Sequence, residues 1–123
     1  MPFFTIETRE GLSAEVKQKV AAEITRLTHT IIESDLDLIS VLFHDLPADS
    51  AYRAGKPTRE VIILGYIRKG RKVETVQKLA LSVSKAWADA TGMSESEIEL
   101  AIAEYPAQFT FRYGARLPEP PAV

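Results

Sequence analysis

Few residues in this sequence have chemistry to offer: two histidines, His29 and His44, an arginine pair, Arg68 and Arg71, and a proline at position 2. Arg68 and Arg71 flank Gly70, between an apolar run and a helical pattern, where loop backbone and a helix N-terminus already favour an anion. Two guanidinium groups there can grip a carboxylate in bidentate fashion. Lys69 and Lys72 share the turn, so a solvated basic surface is the other reading. Pro2 directly follows Met1. Within a peptide bond it merely begins a strand. With Met1 removed it becomes a secondary amine, and a primary α-amino group already titrates near roughly 7.7 to 8.0. Burial and neighbouring guanidinium charge both disfavour the protonated form, which makes such an amine a neutral base at physiological pH.

His44 stands at an alternating position of a strand pattern, as a surface or interface histidine would. His29 lies roughly opposite the apolar stripe of the first helical pattern, on a secondary row with Ala22, Thr25 and Ile32. That row suits either a solvated residue or one facing a subunit interface. There is no cysteine, which excludes a disulfide framework, a thiolate metal site and a cysteine nucleophile. No phosphate-binding glycine pattern, His and carboxylate ligand spacing or serine elbow is present, so no metal or nucleotide cofactor is expected.

The elements that must hold these residues are set by a duplication. Shifted by 59 positions, residues 2–55 lie over 61–114 without a gap. Eleven of the 54 pairs are identical, among them Arg9/Arg68, Gly11/Gly70, Ile39/Ile98, Pro47/Pro106, Arg53/Arg112 and Gly55/Gly114, where chance gives on the order of three. Each copy reads as strand, helix, strand and terminal loop. In the first, residues 3–8 are β-rich, Ser13 is an N-cap with Glu15 in the first turn, and Val16, Val20, Ile24, Leu27 and Ile31 recur at helical spacing. Residues 36–43 form the next strand, closed by Pro47. In the second, residues 61–67 suit a strand covered on both faces, a helix runs from Val73 past Trp87 to a cap at Gly92, and Ile98, Leu100 and Ile102 alternate as a half-buried strand. Residues 118–123, rich in proline, can donate almost no backbone hydrogen bonds and read as a loose tail.

The expected architecture is therefore one α+β domain over residues 1–123, with two β-α-β units making a four-stranded sheet and both helices on one face. Its other face carries apolar residues and needs a layer from another subunit. With 46% hydrophobic and 26% charged residues the chain can bury a core of its own, and a net charge of -2 argues against a nucleic-acid binder. The longest apolar run is too short to span a bilayer, and the N-terminus lacks the features of a secretory signal, so no membrane partner and a cytoplasmic location are expected.

Pro2 opening a duplicated β-α-β chain, with Lys-Gly-Arg at positions 69–71, resembles the tautomerase superfamily, typified by 4-oxalocrotonate tautomerase. Within it the chain is most similar to the cis-3-chloroacrylic acid dehalogenase group, through Pro2, His29, the Gly-x-x-Arg-x-Gly-Arg stretch at 65–71, and Glu104, Pro106, Ala107, Gln108, Tyr113, Gly114, Leu117 and Pro118. The resemblance implies a cofactor-free enzyme with Pro2 as general base and acid, His29, Arg68 and Arg71 as binders of a small carboxylate substrate, and a homotrimeric assembly. Because Val61 faces Pro2 and Leu12 faces Arg71 in the repeat, a trimer would carry three sites rather than six.

The dehalogenases activate water with a tyrosine and a glutamate, and the matching positions here are Ala101 and Arg112. An arginine stays protonated and cannot be that base. The expected activity is thus tautomerisation of small enols or unsaturated 2-oxo carboxylic acids, with Arg112 as a third positive charge on the substrate. The alternatives are a hydratase, dehalogenase or decarboxylase of three-carbon acids, or a non-catalytic ferredoxin-like ligand-binding module, whose element order is the same.

Overall fold

The computed structural model describes all residues, 1–123. In chain order the elements are β1 (Phe3–Arg9), α1 (Ala14–Ile32), β2 (Ser40–Leu46), a hairpin of β3 (Tyr52–Arg53) and β4 (Lys56–Pro57), then β5 (Val61–Arg68), α2 (Val73–Thr91), β6 (Ile98–Tyr105) and a second hairpin of β7 (Phe111–Arg112) and β8 (Ala115–Arg116). Both helices and both hairpins recur at the same offset of 59 residues that relates the two halves of the sequence.

Each half pairs its two long strands in parallel, β1 with β2 and β5 with β6, as a strand-helix-strand crossover requires. The halves join through β1 and β5, which run antiparallel, so the sheet order is β2-β1-β5-β6. At that seam Phe4 faces Gly65, and a Cβ on Gly65 would lie 2.7 Å from the Phe4 ring, so only glycine fits there. Phe4, Ile6, Val61, Ile63 and Ile67 bury one sheet face against Val20, Ile24 and Ile32 of α1 and Leu79, Val83 and Trp87 of α2. Ser13 caps α1 by accepting from the Val16 amide, and Gly92 ends α2 in the left-handed region at φ 76°.

Three expectations change. Residues 36–38 are a 3-10 turn, with the Leu38 and Ile39 amides bonded to the carbonyls of Asp35 and Leu36, so β2 begins at Ser40, whose amide donates to the Pro2 carbonyl. The alternation of Leu36 and Leu38 imitates a strand but belongs to a turn that brings the chain back to the sheet.

β5 is covered on one face only within the chain. Ile62 is 39% exposed, and across the same open face Leu42 is 46% exposed.

Residues 118–123 are not loose. Proline lacks a donor but keeps its carbonyl, and this segment is held as an acceptor: Pro118 O takes Arg68 Nη1 at 2.7 Å and Val123 O takes the Lys72 amide at 2.8 Å. Pro120 between them is buried.

No helix is long and apolar enough to cross a membrane.

Candidate active site

Arg68 ends β5 and Arg71 precedes α2, with Gly70 between them at φ 144°. Both arginines are buried, 4% and 7% exposed. They are not equivalent. Arg71 donates from Nε to Ile32 O at 3.0 Å, from Nη1 to Arg68 O at 3.0 Å and from Nη2 to Ser34 Oγ at 3.1 Å. The last carbonyls of a helix have no partner within it, and Arg71 supplies one to the end of α1. Burial first, and then the charge of Arg68, lower its pKa to about 10 against a pull from Glu104 the other way, so it stays protonated at neutral pH.

Arg68 spends one donor on Pro118 O, and its Nε is buried with no hydrogen-bond partner in the chain. Burial is the main cause of its lowered pKa, offset by Asp35 and Glu119. Arg112, in β7, gives one donor to the Tyr113 hydroxyl at 2.8 Å while its own Nε is also buried and unpartnered. Its guanidinium lies 4.6 Å from the centre of the Tyr113 ring. An unmet buried donor costs about 1–3 kcal/mol, and two on neighbouring cations mark a place for an acceptor.

Arg68 and Arg112 line one cleft of about 370 Å³. Its walls come from Glu33, Asp35 and Asp37 after α1, from Tyr113 and Arg116 of the second hairpin, and from Pro118, Glu119 and Pro121. An amino group at Met1 has its pKa lowered, by burial first, then by Arg68, then by Arg112. The beginning of the chain and these two arginines therefore share one electrostatic environment. Pro2 is buried at the start of β1, its carbonyl paired with the Ser40 amide.

The structure thus brings Arg68 and Arg112 to one cleft, close enough to the Met1 amino group to act on its charge, while Pro2, Arg71 and His29 lie outside the lining of that cleft. His29 is in the last turn of α1, with Nδ1 2.7 Å from Ser34 O. A carbonyl only accepts, so Nδ1 carries the proton in this bond, and Nε2 makes no hydrogen bond within the chain. His44 pairs through Nδ1 with Glu7 at 2.6 Å on the open sheet face. No group of three or more His, Asp or Glu side chains is placed to hold a metal ion.

Ser34 is the residue that reading the sequence missed. It is 1% exposed, its carbonyl holds His29 and its hydroxyl holds Arg71. A signal was present in the repeat. The mates of Arg71 and Ser34 are Leu12 and Met93, both packed against the hydrophobic core, so one half makes a polar contact where the other makes an apolar one.

Comparison with known proteins gives the family. A family model described as tautomerase enzyme matches residues 2–60. The probable tautomerase SpyM3_0797 of Streptococcus pyogenes serotype M3 is 36% identical over 56 residues, which are 46% of this chain and 92% of that protein. The chain belongs to the tautomerase family. It is an enzyme of that superfamily whose length holds two such units. Among solved tautomerase-like structures, N1, a member of the cis-3-chloroacrylic acid dehalogenase family, superposes with a TM-score of 0.92 at 28% identity, over 97% of this chain and 85% of that one. Pt0534 inactivated by 2-oxo-3-pentynoate superposes at 0.86 with 27% identity, over 93% and 94%. A fused 4-OT asymmetric trimer shares the fold, with a TM-score of 0.89 at 19% identity over 94% and 95%. The tautomerase fold expected from Pro2 and the duplication is the fold observed.

Proposed function

We propose that the chain is a cofactor-free tautomerase in which Pro2, freed by removal of Met1, is the general base and acid for small enols and unsaturated 2-oxo carboxylic acids. The observation that carries this reading is the electrostatic setting at the start of the chain, where burial, Arg68 and Arg112 lower the pKa of the Met1 amino group, and where a freed Pro2 amine would meet the same two positive charges. A neutral secondary amine there takes the enol hydroxyl proton, giving an enolate. The resulting ammonium returns a proton to carbon, giving the ketone. Atoms balance without a co-reactant, and positioned proton transfer of this kind contributes roughly a hundred- to ten-thousand-fold.

Arg68 and Arg112 bring buried, unpartnered Nε donors to this site. In this reading they meet the substrate carboxylate and the oxygen on which charge develops. Arg71, with Nε and both Nη atoms already engaged, acts as a positioning residue in place of a direct clamp, and His29 supports it through Ser34. That Pt0534 is inactivated by 2-oxo-3-pentynoate, an acetylenic 2-oxo acid, supports the substrate class.

The assembly proposed is a homotrimer, which would cover the apolar open face of the sheet. The fused 4-OT trimer supports it, as does the exposure of Leu42 and Ile62. Sedimentation at micromolar concentration is expected to give three times the 13.6 kDa chain mass; a monomer would remove the shared assembly.

Mass spectrometry and an enol–keto assay test the function together. The purified protein is expected to lack Met1 and to ketonise phenylenolpyruvate, with Pro2→Ala slowed by roughly a hundredfold or more. Retained Met1, or a Pro2→Ala variant as fast as the parent, sinks the catalytic reading and favours a binding module.

A further inference from the structure

The segment after the second hairpin takes a course different from that of its counterpart in the first half, and it lies against Arg68. In the first half the chain runs from its hairpin through Arg59 and Glu60 straight into β5. In the second half the mates of those residues are Pro118 and Glu119, and residues 120–123 after them form no strand. We propose that residues 118–123 are a strap that positions Arg68 and thereby sets the affinity of the site for a substrate carboxylate. The proposal rests on the reading of Arg68 as the residue that meets that carboxylate.

Three contacts fasten the strap. Its first carbonyl, Pro118 O, is the acceptor for Arg68 Nη1 at 2.7 Å, and no other hydrogen bond of the Arg68 guanidinium is made within the chain. Pro120 presses on Gly70: a Cβ there would lie 3.1 Å from Pro120 Cγ. Val123 O accepts from the Lys72 amide at 2.8 Å, at the start of α2.

The first half has no equivalent of these contacts. Ser13 caps α1 by accepting from the Val16 amide, whereas in α2 the amide of Thr75, the mate of Val16, donates to Lys72 O and the Lys72 amide is held by the strap. Gly11, the mate of Gly70, has a similar backbone at φ 118° and would meet nothing within 4 Å. So the glycine of the second half, alone of the two, is in contact with a proline.

A free arginine side chain samples many rotamers, and fixing one terminal nitrogen to a backbone carbonyl removes most of that freedom before substrate arrives. Pro118, Glu119 and Pro121 also wall the cleft in which Arg68 lies, so the same segment bounds the space beside the guanidinium. Prolines suit this use, since each enters the bound state with φ already restricted.

The test compares the parent with a chain ending at Leu117, and Gly70→Ala with Gly11→Ala. The two alanine variants share the positive-φ penalty, but only Gly70→Ala pushes on the strap. Binding of 2-oxobutanoate is followed by NMR titration, with 2-butanone as the uncharged control, and phenylenolpyruvate turnover is read by ultraviolet absorbance. The shortened chain and Gly70→Ala are expected to bind 2-oxobutanoate roughly tenfold more weakly, with KM raised and kcat changed far less, while Gly11→Ala and all 2-butanone data stay at the parent level. In an Arg68→Ala background, shortening should have no further effect.

Equal 2-oxobutanoate affinity in parent and shortened chain overturns the proposal, as does an equal loss on shortening with and without Arg68. If the shortened chain does not fold, the glycine pair decides, and equal affinity within that pair overturns it. A parent without turnover that still loses 2-oxobutanoate affinity on shortening strikes the catalytic reading and supports the strap.

Discussion

Arg53 and Arg112 occupy the same place in the two hairpins, and only Arg53 is neutralised. Arg53 is paired with Glu60 and, at 2.7 Å, with Glu99, whereas Arg112 meets the Tyr113 hydroxyl and keeps a buried donor unpartnered. The duplication therefore left one guanidinium free to act on a ligand and tied the other into an ion-pair network. Replacing Arg53 by Ala should lower stability by no more than about 1 kcal/mol, since exposed ion pairs contribute little, and should leave turnover unchanged. Arg112→Ala should cut kcat/KM for phenylenolpyruvate tenfold or more, about the worth of one charge-assisted contact. Parallel urea melts and steady-state kinetics on both variants check the contrast, and similar kinetics for the two would refute it.

Arg71 is expected to fail as a structural pin before it fails as a binder. Truncation strands the Ile32 and Arg68 carbonyls and the Ser34 hydroxyl, so Arg71→Ala should destabilise the chain by about 2–4 kcal/mol. Arg71→Lys keeps the charge but lacks the planar fork that reaches all three acceptors, and should recover only a minor part. A denaturation midpoint equal to the parent's, combined with weaker substrate binding, would return Arg71 to the direct clamp.

The pH dependence has a definite sign. Burial, Arg68 and Arg112 lower the pKa of the Met1 amino group, and the same causes acting on a freed Pro2 amine put its basic form at lower pH than in a free chain, so kcat/KM should rise with pH through that pKa and then level. Removing either positive charge raises the pKa again. Arg68→Ala and Arg112→Ala should both move the rising limb to higher pH, the former further, in keeping with the order of their effects. A nitrogen-15 NMR titration of the Pro2 amine reads the same shift without relying on turnover; an unmoved titration in both variants would be decisive against it.

Hydrolysis of cis-3-chloroacrylate should be absent or very slow. Ala101 faces Leu64 in the register of β5 and β6, and Arg112 is held against Tyr113, so neither supplies a base for water. Halide release followed by ion-selective electrode provides the check. Rapid release would point to Glu104 or Tyr113 as the missing base.

The architecture was legible in the sequence because it follows from local pattern and duplication. Apolar spacing placed both helices, and a shift of 59 residues fixed which segments are equivalent, down to the matching hairpins. Pro2, Arg68 and Gly70 were visible for the same reason, since each is a residue type whose chemistry or backbone freedom is intrinsic. What tertiary structure alone decided was how the polar groups share partners. Whether Arg71 is a clamp or a pin depends on where the last carbonyls of α1 fall, and that is set by the packing of α1 against α2, which brings Ile32 within reach of Arg71, 39 residues away along the chain. Whether Arg112 is free depends on Glu60 and Glu99 lying beside Arg53 instead. The docking of residues 118–123 was hidden for a related reason: a proline-rich sequence advertises its missing donors, while its carbonyls have no value until a fold presents Arg68 and the Lys72 amide to them.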